Sequence, residues 1–128
     1  MRNVLSAMLG LALLGSGLGA AYGHPGHEGH DGAQTTLKGE LVDMACYMAH
    51  GGGGPKHAKC AKSCVLDGSP VGFVASDGVV YLVVEDHDNK QPYKQAVELA
   101  GEQAELTGKV VKRGGLSALI VSKAAKAK

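Results

Sequence analysis

Two runs of β-branched and aromatic residues, Val71–Ala75 and Val79–Glu85, flank the turn sequence Ser76-Asp77-Gly78. Such a pattern commits this stretch to a β-hairpin, because the runs favour extended backbone and Asp-Gly favours a tight reversal. The rest of the chain has to be built around that hairpin. Upstream, Thr36 to Met44 mixes apolar and polar residues and reads as a strand. Downstream, the segment from Gln103 to Ala125 reads as two more, joined near Arg113-Gly114-Gly115.

Two helices interrupt this β pattern. Pro55 supplies a start signal and Asp67-Gly68 a stop, so Pro55 to Leu66 is expected to be a short helix. Pro92 opens a second, in which Tyr93, Ala96, Val97 and Ala100 fall on one face and Gly101 ends the run. The expected class is mainly β. Five strands, a helical insert after the first and a helix between the third and fourth fit a small Greek-key barrel of the oligonucleotide/oligosaccharide-binding (OB) type. Barrel closure removes the exposed edges of a short open sheet. An open α+β sheet is the competing architecture. Neither fixes an activity, which has to come from a site.

The chain ahead of this domain reads as two further segments. Residues 1–23 have the form of a secretory signal: Arg2, an apolar run from Val4 to Leu14, then small residues to Ala20-Ala21. The run falls short of the roughly 20 apolar residues that span a bilayer. Residues 24–35 form a polar, glycine-rich arm with His24, His27 and His30 spaced by three, expected to be a flexible tether that collects metal ions weakly. Cleavage after Ala21 would expose Tyr22-Gly23-His24, a terminus able to wrap Cu(II) or Ni(II) in a square plane. Cleavage after Gly23 would begin the chain at His24. The folded domain is residues 36–128, and the expected location is periplasmic or secreted, with no membrane association after cleavage.

Loss of Arg2 brings the 13 Lys and Arg residues into balance with the 12 Asp and Glu. A neutral chain lacks the cationic excess that holds nucleic acid phosphates. One Phe and no Trp leave little for stacking bases. The Lys-rich end, Lys123 to Lys128, reads as a solvated tail. No nucleotide loop is present, because Gly51–Gly54 lacks the following Lys-Ser/Thr. No haem attachment signature occurs, since Val65 follows Cys64. No serine sits in a nucleophile elbow. The expectation is a protein that is not an enzyme.

The chemistry rests on Cys46, Cys60 and Cys64, with His57 three residues ahead of Cys60. On a helix Cys60 and Cys64 are one turn apart on the same face, so both sulfurs can meet one ion at about 2.3 Å. A disulfide between them is disfavoured by its narrow geometry. His57 lies about two turns from Cys64, roughly 10 Å along the axis, and can share that ion only from a frayed first turn. Cys46 has to arrive from the end of the first strand, across the glycine loop. The expected site is a cage of Cys46, His57, Cys60 and Cys64 around one copper or zinc ion. Met44 and Met48 add thioethers nearby, which lean toward Cu(I), although methionine beside a strand is more often filling. His50 is a spare imidazole at the loop edge, and His87 a solvated residue in an acidic loop.

Two other readings of the thiols stand beside this one. Exported proteins oxidise their cysteines, so a Cys46–Cys64 or Cys46–Cys60 bridge would pin the helix to the barrel and make a disulfide-stabilised binding module for a protein partner. A thiol-redox protein would need one cysteine of depressed pKa, for which Lys56, Lys59 and Lys62 supply nearby positive charge.

The stretches "GELVDMACYM", "HAKCAKSC" and "DGSPVG" resemble small exported bacterial OB-fold-like proteins. Their pattern is D-x-x-C, then H-x-x-C-A-x-x-C, then G-x-P-x-G. The matching positions here are Gly39, Asp43, Cys46, His57, Cys60, Ala61, Cys64, Gly68, Pro70 and Gly72. The resemblance runs from about Gly39 to Gly72 and more loosely beyond. Proteins of this kind have no settled activity, so it implies a common fold and site rather than a reaction.

Overall fold

The computed structural model describes residues 33–128. The expected signal segment and residues 24–32 of the histidine arm lie outside the described residues. Five strands and three helices follow in the order β1 (Gln34–Asp43), α1 (Met44–His50), α2 (Ala58–Leu66), β2 (Val71–Ala75), β3 (Val80–Val84), α3 (Gln91–Glu98), β4 (Gln103–Arg113) and β5 (Leu116–Lys126). The mainly β, five-stranded expectation holds, as does the helix between the third and fourth strands.

The strands hydrogen-bond in the order β1-β2-β3-β5-β4, and β4 returns to β1, closing the barrel. All neighbours are antiparallel except β3 and β5, which run parallel with Leu82 opposite Ala118. β1 serves two partners. Its first part, Gln34 to Glu40, lies against β4, and its second, Gly39 to Asp43, against β2. Gly39 sits where the strand passes from one to the other, and a Cβ there would collide with the backbone of Val74 and Ala75. Only glycine lets the chains approach so closely at this corner.

Alternation along the strands points Leu41, Phe73, Leu106, Leu119 and Val121 inward, all fully buried. α3 covers this core with Ala96, and Ala100 in the turn after it adds a second small buried residue, while α2 contributes Val65. The contribution of α2 matters for the site: Ala61 and Val65, one turn apart, are its buried stripe. Among the described residues no helix is long and apolar enough to cross a membrane.

Two expectations are corrected. The first strand ends at Asp43, and Met44 begins a helix that the strand reading had not foreseen. The cysteine helix starts at Ala58, with Pro55 to His57 forming a turn before it. The lysine-rich end is solvated as expected, with Lys123, Lys126 and Lys128 exposed, and it is also paired as far as Lys126: Lys123 lies opposite Thr107 and Lys126 opposite Ala104 in β5, and Lys126 forms an ion pair with Glu102. Main-chain hydrogen bonds to β4 decide the matter, since exposed lysines suit the outer face of a strand as well as a tail.

Candidate metal centre

Asp43 closes β1 and opens α1. Its backbone is still extended, and its side chain accepts hydrogen bonds from the amides of Ala45 (3.0 Å) and Cys46 (3.1 Å). This is the N-cap arrangement, in which a short carboxylate satisfies amides that have no helical partner. After the seven residues of the helix, Gly51, at φ 69°, ends it in the left-handed region and donates its amide to the Tyr47 carbonyl. Left-handed backbone there suits glycine and marks the helix stop. Cys46 therefore sits in the first turn of a short helix, not on a strand tip.

A second set of bonds brings α2 to this turn. The amide of Ser69 donates to the Cys64 carbonyl (2.9 Å), the hydroxyl of Ser69 donates to Asp43 Oδ1, and the amide of Met44 donates to the Pro70 carbonyl (3.0 Å). Gly68, at φ 103°, makes the reversal that places Ser69 there. The last residues of α2 and the first of α1 are thus stitched through one buried carboxylate. Below them Met44 packs over Gly72, where any Cβ would strike its sulfur. The glycine loop is held as well, because Glu40 accepts a hydrogen bond from the Gly54 amide at 2.6 Å.

This frame draws the three sulfurs together. The Sγ atoms of Cys46, Cys60 and Cys64 all lie within 4.8 Å of one another, and those of Cys60 and Cys64 are 4.0 Å apart. Three thiolates on one ion at about 2.3 Å would stand about 3.8 to 4.0 Å from each other. All three cysteines are free. Because Ala61 and Val65 face the core, Cys60 and Cys64 fall on the adjoining stripe at the surface. Cys60 is exposed; Cys46 and Cys64 are half-buried.

The electrostatics follow from the same contacts. Burial opposes ionisation of Asp43, but the hydrogen bonds from Ser69, from the Cys46 thiol and from the two amides outweigh it and hold its pKa at about 2. That carboxylate, hydrogen-bonded to the Cys46 thiol, pushes the thiol up to about 12, helped by burial and by Cys60. The hydrogen bond to Cys60 is also the chief reason that the Cys64 thiol is raised, with burial adding to it. A cation entering among the sulfurs would have to displace these protons, which would couple its uptake to proton release.

His57 stands outside the three-sulfur group. It occupies the position before α2, makes no capping bond with its side chain, and its ring lies 5.7 Å from that of His50, centroid to centroid. Met44 fills the space over Gly72, and Met48 is 71% exposed on α1. His87 is exposed in its loop, as expected.

Sequence reasoning missed the positioning roles of Asp43, Ser69 and Gly52. Gly52 is buried between Cys46 and His50, where a Cβ would stand 3.1 Å from the Cys46 Cβ and 3.1 Å from the His50 ring. The signal for α1 is present in "DMACYMAHG", a capping aspartate, seven residues and a stop glycine. No family model, curated protein or solved structure matches this chain.

Proposed function

We propose that this protein is an exported, non-catalytic binder of one soft metal ion, copper ahead of zinc, serving carriage, buffering or sensing. The observation that carries the reading is the meeting of Cys46, Cys60 and Cys64 within 4.8 Å, from two helices separated by a glycine loop. Thiolate donors select soft ions, Cu(I) and Zn(II) first among them. Zinc in a structural site takes four protein ligands. The group here offers three, a number that satisfies Cu(I), and this favours copper.

The position of the group supports exchange over a fixed structural role. The ion would lie against exposed Cys60 at the rim of the barrel, while the core of Phe73, Leu106 and Leu119 packs without it. The strand order and the parallel β3–β5 pair support an OB-type Greek-key barrel as the scaffold. The resemblance of the cysteine segments to small exported OB-like proteins agrees with this scaffold. Export rests on the signal-like residues 1–23, and the histidine arm that follows would gather ions at low affinity near the sulfurs' compartment.

The test is the metal content of the protein purified anaerobically from the exported fraction, with free thiols counted before and after metal removal. One ion per chain, three thiols protected by it and loss of the ion in Cys60→Ser support the reading. One free thiol and no metal would replace it with the disulfide-stabilised module.

A further inference from the structure

His50 and His57 are brought together by elements that the sequence keeps apart. His50 is the last residue of α1, His57 immediately precedes α2, and Gly51 to Lys56 make the excursion between them. Their rings stand 5.7 Å apart between centroids, tilted by 40°. Two imidazoles that share one ion at 2.0–2.1 Å per nitrogen have centroids about 5 to 6 Å apart. Both rings are accessible, His50 exposed and His57 half-buried, and no capping bond occupies the His57 side chain. Buried Gly52 packs against both His50 and Cys46, where a side chain would crowd the imidazole.

We propose that His50 and His57 form a second metal subsite, a two-imidazole site for a borderline divalent ion such as Cu(II), Zn(II) or Ni(II), with a donor set distinct from the three sulfurs. Imidazole donors suit these ions, whereas thiolates suit softer ones. The remaining coordination positions face solvent and are filled by water. The loaded protein would then hold two ions of different softness on one rim of the barrel. This inference does not depend on the sulfurs binding anything.

The experiment uses the full chain with His24, His27 and His30 each replaced by Gln, so that the arm cannot contribute, and with all three cysteines replaced by Ser. One equivalent of Cu(II) is added, and affinity is read by competition titration and the donor set by electron paramagnetic resonance. The expected result is one ion with two nitrogen donors, weakened at least tenfold by either His50→Gln or His57→Gln and unchanged by His87→Gln. His50→Gln lies at an exposed helix end, so it keeps the test sound if the His57 variant fails to fold. Binding that survives His50→Gln undiminished, a one-nitrogen spectrum, or no binding at all would overturn the proposal and leave the rings as a simple aromatic pair. None of these outcomes bears on the three thiols, which are absent from the protein tested.

Discussion

The hydroxyl of Ser69 donates to the buried carboxylate of Asp43, joining the exit of α2 to the entry of α1. That contact spans 26 positions of sequence and works with the bonds from the Ser69 amide to Cys64 and from the Met44 amide to Pro70 to hold the two cysteine segments together. The three-sulfur group is therefore only as well defined as the surroundings of Asp43.

Replacing this aspartate tests the point. Asp43→Ala removes the cap of α1 and leaves the Ser69 hydroxyl and two amides without their acceptor. The expected loss is about 2 kcal/mol of stability, read from urea unfolding of the metal-free protein. Metal affinity should fall further than in Ser69→Ala, which removes only one of the bonds.

Acid should act through the same group. The pKa of Asp43 in the folded protein, about 2, lies below its ordinary value of 3.8. Its ionised form thus stabilises the fold above about pH 4, and that contribution disappears as the pH falls through about 2. Unfolding midpoints measured from pH 5 to pH 2 should drop less steeply in Asp43→Asn than in the unaltered protein. An identical slope would show that Asp43 has no part in acid sensitivity.

The thiols should differ in reactivity. In the reduced, metal-free protein, iodoacetamide is expected to label exposed Cys60 first and Cys46 last, because the Asp43 carboxylate keeps the Cys46 proton in place. Peptide mass spectrometry over a time course at pH 8 gives the order. Rapid labelling of Cys46 would instead favour a thiol-redox role, which needs a depressed thiol pKa.

Crowding the rim gives a test that leaves every ligand intact. Gly52→Ala places a methyl group against Cys46 and His50 without demanding left-handed backbone from alanine. The barrel should fold as before by circular dichroism, while metal affinity falls about 10- to 100-fold, as for other changes next to ligands. Unaltered affinity would mean that the loop simply moves aside.

Local sequence determined a good deal of this molecule. The Val71–Ala75 and Val80–Val84 hairpin follows from β-branched runs around a Ser-Asp-Gly turn, and α3 from Pro92 and an apolar stripe. Even the shared face of Cys60 and Cys64 follows from a four-residue spacing on a helix. These are short-range effects, decided by neighbours along the chain. Tertiary structure decided the rest. Asp43 can end a strand or cap a helix, and the bonds from Ser69 and to Pro70 select the cap. That choice turns Cys46 toward α2 and sets His50, at the end of α1, beside His57, because the direction of a side chain depends on partners far away in sequence and close only once the barrel has closed.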